Sequence, residues 1–520
     1  MFLKLLMLVV FFAAMTGIGL YCRRHTADVS GFVLGGRSVG PWLTAFAYGT
    51  SYFSAVIFVG YAGQFGWKFG VASTWIGLGN ALIGSLLAWV ILGRRTRIMT
   101  QHLESATMPE FFGSRFDSKA LKITASAIVF VFLIPYTASL YNGLSRLFGM
   151  AFHIDYTVCI LVMAVLTGIY VVAGGYMATA INDFIQGIIM LFGIVIVIAA
   201  VLGSNGGFME ALNQLAQVED TAVSAQPGVF ASFFGPDPIG LLGVVLLTSL
   251  GTWGLPQMVQ KFYAIKSERS IHKGTVISTV FALIVSGGCY FLGGFGRLYA
   301  GQIDIGAEGY DAVIPAMLSG LPEILIGLVV ILVLSASMST LSSLVMASSS
   351  TLTLDFLKET VMKKMDEKKQ ILMIRLLIVC FIAISAVLAI IQYKANITFI
   401  AQLMGISWGA LAGSFLAPFL YGLYWKRVSR VSVWFSFLYG SGLMIANMLF
   451  RNAFPAFLQS PINAGAFAML TGLVLVPIIS LFTKAPDREI VESAFSCYNK
   501  LTEVPQSVAL GEEPEIPAKK

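Results

Sequence analysis

The sequence predicts an all-α polytopic membrane protein, and three observations carry that prediction. Hydrophobic residues fill 57% of the 520 positions, and charged residues only 11%. Mean hydropathy is +0.83. The apolar residues also collect in windows long enough to cross a bilayer, which takes about 20 residues. Thirteen such windows are read, at 3–22, 42–66, 70–93, 121–150, 156–174, 178–203, 239–260, 275–299, 324–354, 372–393, 397–425, 431–450 and 464–483.

The stronger positive flank of the first window, Arg23 and Arg24, follows the apolar run, so the segment reads as an uncleaved anchor and not as a signal peptide. The second window holds Ala47-Tyr48-Gly49-Thr50-Ser51-Tyr52-Phe53-Ser54-Ala55, and the seventh holds Thr248-Ser249-Leu250-Gly251-Thr252-Trp253-Gly254-Leu255-Pro256. Both interrupt an apolar run, and they stand five windows apart, as the first members of two five-helix blocks. Paired interruptions of this kind point to a transporter with inverted repeats and a midplane site. Unwound backbone there exposes carbonyls and half-helix ends that bind ions or solute without adding side-chain charge. Small residues also let helices pack closely, and these two segments alone leave both readings open.

Asp183 follows Met177-Ala178-Thr179-Ala180-Ile181-Asn182 and precedes an uninterrupted apolar run; among 26 acidic residues it is the one read inside a span, away from loop edges. A carboxylate at the bilayer centre costs about 2.5–3.5 kcal/mol, which favours a functional role over a structural one. A helix N-terminal carboxylate nearer the interface is the other reading. The ninth window carries Ser335-Ala336-Ser337-Met338-Ser339-Thr340-Leu341-Ser342-Ser343. Helical geometry puts Ser339, Ser342 and Ser343 on one face, with Ala336 a turn earlier and Thr340 beside it. Such faces also hydrogen-bond simply within the membrane. Taken together, backbone oxygens, one carboxylate and a hydroxyl ladder are oxygen-only chemistry suited to a small hard cation, and the residues point to ion-coupled transport.

Charge in the connections sets the expected topology, because short cytoplasmic loops collect Lys and Arg. With the N-terminus outside and the C-terminus inside, all but Lys4, Lys68, Arg146, Arg297, Lys394 and Arg451 of the 33 basic residues fall on one side, Lys261 among them. The long outer segments Gly203 to Gly240 and Gly301 to Glu323 carry acids and no Lys or Arg. The net charge of +7 thus reflects topology and not nucleic-acid binding. Cys22, Cys159, Cys289, Cys380 and Cys497 lack metal-ligand spacing, and the four histidines sit at span ends or in loops. No nucleotide-binding loop or nucleophile elbow appears, which argues against ATP hydrolysis and against an enzyme.

Gly35-Gly36-Arg37-Ser38 before Gly40-Pro41-Trp42, Met108-Pro109-Glu110-Phe111-Phe112 leading to Arg115-Phe116, Gly174-Gly175 before Asp183, and Met338-Ser339-Thr340-Leu341-Ser342 resemble the sodium/solute symporters of the proline, glucose, sialic acid and iodide/multivitamin transporter type. The resemblance covers roughly residues 30 to 430. It implies the leucine-transporter fold, a 5+5 inverted repeat. The expected division is an extra helix at 1–30, the first repeat at 31–203, an external loop at 204–238, the second repeat at 239–425, two further helices at 426–483 and a polar tail at 484–520. It further implies a sodium ion held by carbonyls of Thr50, Phe53 and Ala336 and hydroxyls of Ser339 and Thr340, and a second sodium site at Asp183, Ser339, Ser342 and Ser343, hence two ions per cycle. Each charge crossing 100 mV supplies about 2.3 kcal/mol.

The solute is expected beside those ions, with Tyr52, Ser54, Tyr136, Asn142, Thr252, Trp253 and Gln402 as candidates. Aromatics there cover a sugar ring or apolar side chain and hydroxyls orient polar groups; Tyr52 and Trp253 also read as plain packing. Tyr52 and Phe53 stand where the proline and galactose types carry an acidic or amide residue and a smaller apolar one. The expected function is sodium-coupled uptake of a small organic solute, an amino acid, sugar, carboxylate or vitamin, across the plasma membrane of a bacterium, with Na+ as coupling ion and no cofactor. A passive channel or a membrane sensor on the same bundle are the alternatives. The tail from Lys484 is too short and polar for an enzymatic module, and Asn396-Ile397-Thr398 forms a glycosylation sequon.

Overall fold

Side-chain caps mark where several of the helices start. Ser118 accepts from Leu121 N, Asp155 from Thr157 N and Val158 N, Asp237 from Gly240 N ahead of Pro238, Ser267 from Ser270 N, and Ser429 from Ser432 N. Each supplies an acceptor for an amide that the first helical turn leaves without a partner. The computed structural model describes residues 2–22, 28–224, 226–395 and 400–498. Arg23, Arg24, the sequon at Asn396 and the end of the tail lie outside them.

The principal helices are α1 (Phe2–Cys22), α2 (Pro41–Tyr52), α3 (residues 56–69), α4 (residues 70–102), α5 (Lys119–Phe152), α6 (Tyr156–Ile169), α7 (Gly175–Ser204), α8 (Pro238–Gly254), α9 (Pro256–Ala264), α10 (Glu268–Gly293), α11 (Glu323–Thr360), α12 (Glu367–Lys394), α13 (Ile400–Tyr424), α14 (Arg430–Leu449) and α15 (Pro461–Phe482). By length and composition, ten described helical stretches suffice to cross a membrane, or eleven if the bent pair α8 and α9 is one span. One of the ten, Val56–His102, joins α3 and α4, although Gly70 interrupts it at φ +63°. The apolar α6 is shorter, and it passes into α7 through Gly175 at φ +59°, ψ −161°, a conformation suited to glycine.

Two breaks interrupt the sequence where expected. α2 ends at Tyr52, and Phe53 and Ser54 are unwound before the chain turns helical again through a π-helical stretch, Val56–Tyr61. α8 and α9 bend by 47° about Leu255, just before Pro256. α11 passes through the centre, buried on all sides from Val329 to Thr351, and packs on α5, α7 and α2. α13, α14 and α15 pack on one another at the flank. The acidic segment between α7 and α8 is not structureless, since Phe208–Ala216 is helical.

Lys261 departs from the expected loop position. The apolar pattern Met258, Val259, Phe262 and Tyr263 continues past the break, so α9 carries Lys261 into the protein interior. Asp183 is likewise not the only buried acid: among the described residues Asp311 and Asp355 are buried too.

α3 meets α10 with glycine on both sides. A Cβ on Gly66 would run into the Gly293 carbonyl, and one on Gly293 into that of Ala62. Overpacking costs about 1–3 kcal/mol, so Gly293→Ala is expected to lower the thermal midpoint of the purified protein by several degrees. Gly442→Ala, which meets nothing within 4 Å, is expected to leave it unchanged.

Candidate functional site

Unwinding at Phe53 and Ser54 turns the end of α2 toward the serine face of α11. The Thr340 hydroxyl lies 3.3 Å from Thr50 O, 3.4 Å from Ser51 O, 3.2 Å from Phe53 O and 3.1 Å from Ala336 O. A hydroxyl has one proton to donate, so four carbonyls converge on a point where that proton serves one of them at a time. Ser339 Oγ donates to Thr50 Oγ1 at 2.7 Å, and Thr50 Oγ1 donates to Phe46 O at 2.7 Å. All of these residues are buried. A cluster of carbonyl and hydroxyl oxygens with no charge of its own, sealed from solvent, suits a desolvated alkali cation. Thr50, Phe53, Ala336, Ser339 and Thr340 are thus brought together, with Ser51 as an additional carbonyl.

The second predicted oxygen set stands beside it. Ser342 Oγ donates to Ser339 O at 2.8 Å, and Ser343 Oγ shares a hydrogen bond with Ser51 Oγ at 2.8 Å. Asp183 faces this group from α7, with the Ser339 hydroxyl and the Lys261 ammonium opposite its carboxylate. The Lys261 ammonium sits 3.7 Å from Asp183 Oδ2 and donates to Ser343 Oγ at 3.0 Å, with side-chain exposures of 3% for Lys261 and 1% for Asp183. Removing one partner of such a buried pair costs about 3–5 kcal/mol. Sequence reasoning missed Lys261 because it sits only five positions beyond the helix-breaking Pro256; the apolar spacing around it was the signal.

Of the solute candidates, Tyr52, Ser54 and Tyr136 gather around one residue that was not singled out, Trp408 of α13. Its ring stacks on Tyr52 with centroids 5.9 Å apart and meets Tyr136 edge-on at 6.0 Å. The Tyr136 hydroxyl faces Ser54 and Trp408. Yet Tyr136 OH, Trp408 Nε1 and Ser407 Oγ, all buried, make no hydrogen bond within the described residues. Buried polar atoms are normally satisfied, and the Tyr136 hydroxyl and Trp408 indole N–H, which face one another, mark a polar spot within an aromatic wall. Trp408 was legible only as a large ring among Gly405, Ser407, Gly409 and Ala410.

The other candidates point elsewhere. Tyr52 OH closes on Thr248 O at 2.8 Å, which ties the break in α2 to α8. Thr252 Oγ1 donates to Gly84 O at 3.0 Å and Trp253 Nε1 to Ile83 O at 3.0 Å, so both engage α4. Asn142 Oδ1 accepts from Tyr156 OH at 2.7 Å. Gln402 is half-buried near the start of α13.

Both ends of the bundle are tied. At the basic end Arg37 donates to Tyr263 O, Thr100 O and Ser105 O at 3.1, 3.3 and 2.6 Å, and Arg97 to Ile265 O at 2.6 Å. At the acidic end Arg297 donates to Trp67 O at 2.6 Å and pairs with Asp220 at 2.9 Å. That guanidinium holds the Asp220 carboxyl below the usual carboxylate range. A cavity of about 490 Å³ lies there, lined by Gln64, Trp67, Lys68, Asp220, Asp237 and Arg297 among others.

Comparison with known proteins gives the family and the fold. The chain is 31% identical over 435 residues to a sodium/proline symporter of Staphylococcus aureus, with 82% of each chain covered. It is 30% identical over 448 residues to sodium/proline symporter 2 of Staphylococcus saprophyticus, covering 85% of each. The osmoregulated proline transporter OpuE of Bacillus subtilis is 28% identical over 481 residues, 92% of this chain and 94% of that one. Among solved structures, a sodium-coupled sialic acid symporter in a substrate-bound outward-open state superposes with a TM-score of 0.73 at 17% identity, covering 93% of this chain and 98% of that one. That likeness gives the leucine-transporter fold. With the sodium:solute symporter profile matching residues 32–440, the chain belongs to the sodium:solute symporter family.

Proposed function

We propose that this protein is a secondary active transporter of the bacterial plasma membrane that couples sodium movement to the uptake of a small organic solute by alternating access. The convergence of the Thr50, Ser51, Phe53 and Ala336 carbonyls on the Thr340 hydroxyl carries the reading. Sodium enters as cargo, held by those oxygens and Ser339. It bridges the unwound end of α2 to α11, stabilises one arrangement of the two, and so preorganises the adjacent aromatic pocket; the two ligands raise each other's affinity. The work is transport, with no covalent chemistry. The basic loops support thirteen crossings, counting α2 with α3 and α8 with α9, with the N-terminus outside and the two five-helix repeats at 31–203 and 239–425.

The solute site in this reading centres on Tyr52, Ser54, Tyr136 and Trp408, with Thr252, Trp253, Asn142 and Gln402 in supporting positions. An aromatic wall with an unsatisfied hydroxyl and indole N–H suits a compact molecule that has an apolar ring or chain and one polar head. The names of the relatives make L-proline the first solute to test.

In reconstituted vesicles, L-proline or another small amino acid is expected to accumulate under an inward sodium gradient and to stop when potassium replaces sodium. Equal uptake in both salts for every solute in a screen of amino acids, sugars, carboxylates and vitamins would overturn the reading. A hydrogen bond to a charged group is worth about 1.5–3 kcal/mol, so Ser339→Ala and Thr340→Ala are each expected to raise the half-saturating sodium concentration about tenfold or more, measured as sodium activation of uptake. Trp408→Ala is expected to raise the solute KM by roughly tenfold, through lost ring contact, with much less effect on sodium activation.

A further inference from the structure

We propose that Lys261 is a built-in cation for Asp183, occupying the second oxygen set so that the protein binds one sodium ion per cycle and not two. This rests on the sodium-coupled reading above and adds to it the identity of the second occupant. The Lys261 ammonium lies 3.7 Å from Asp183 Oδ2, 3.0 Å from Ser343 Oγ and 5.2 Å from the centre of the Tyr176 ring. Those are a carboxylate, a hydroxyl and an aromatic face, all of which favour a compact positive charge. Among the described residues each member of the pair is the other's ion-pair partner and has no second one.

Charge balance then excludes a further ion. One buried carboxylate neutralises one cation, and a sodium ion added to the same oxygens would set two positive charges against a single negative one in a low-dielectric space. Lys261 also makes the connections a free ion would make. From α9 it reaches α7 through Asp183 and α11 through Ser343, and Ser343 Oγ in turn bonds Ser51 Oγ on α2 at 2.8 Å. The difference is that a tethered ammonium never leaves with the solute. Its charge therefore contributes to holding the helices together and not to the ion count, while the uncharged oxygen cluster around Thr340, with no Lys or Arg in its hydrogen bonds, remains available for a diffusible ion.

The test counts ions with sodium itself as the probe, by saturation binding of radioactive 22Na+ to purified full-length protein. The expected count is one per wild-type chain, one for Lys261→Arg, two for Lys261→Ala, and one again for the double variant Asp183→Asn, Lys261→Ala. A wild-type count of two overturns the inference and leaves the transport reading intact, as does a count of one in a folded Lys261→Ala variant. Absence of any bound sodium in every form overturns the sodium-coupled reading itself and the inference with it. Should the alanine variant fail to fold, the wild-type count alone decides.

Discussion

The unwound turn at Phe53 and Ser54 is the constraint on which the rest depends. Backbone carbonyls stranded inside an apolar bundle are costly unless something satisfies them. The structure answers with a helix, α11, whose face toward α2 carries hydroxyls and no bulk: Ser337 accepts from Ala55 N at 3.0 Å, Ser339 meets Thr50, and Thr340 meets four carbonyls. Because hydroxyls supply fewer protons than the carbonyls can accept, the turn is held without being saturated. Carbonyl lone pairs left over in this way are the kind of ligand that suits a desolvated alkali cation.

Charge inside the bundle follows the same economy. Asp183 is balanced by Lys261 near the centre. Asp355 lies between Lys122, at 3.6 Å, and the hydroxyl of Thr107, next to Glu110, toward the basic end. Asp311 accepts from Ile400 N at 3.3 Å on the opposite side. Each acid ties together elements distant in the chain, and each sits where α7, α11 or α13 meets a neighbour. Buried carboxylates here mark contacts between helices distant in the chain.

Close glycine contacts seat α3 on α10, and aromatic packing around Trp408 seats the end of α2 on α13. Tyr52 joins the two breaks. Its backbone ends α2 beside the oxygen cluster, its ring stacks on Trp408, and its hydroxyl reaches Thr248 on α8. One residue therefore links the oxygen cluster, the Trp408 ring and α8.

The sequence by itself determined the apolar windows, the two breaks and the serine face of α11, because hydropathy, glycine and proline punctuation and helical spacing act over a few neighbouring residues. Family motifs added the set of oxygens around Thr340. Only the tertiary structure decided that Lys261 belongs to Asp183 and Ser343, positions far apart in the chain, and that Trp408 is the centre around which Tyr52 and Tyr136 gather. It likewise turned Thr252, Trp253 and Asn142 toward other partners. A basic residue just past a break reads the same in a loop as in a buried half-helix, and what distinguishes them is the acid that packing brings within reach.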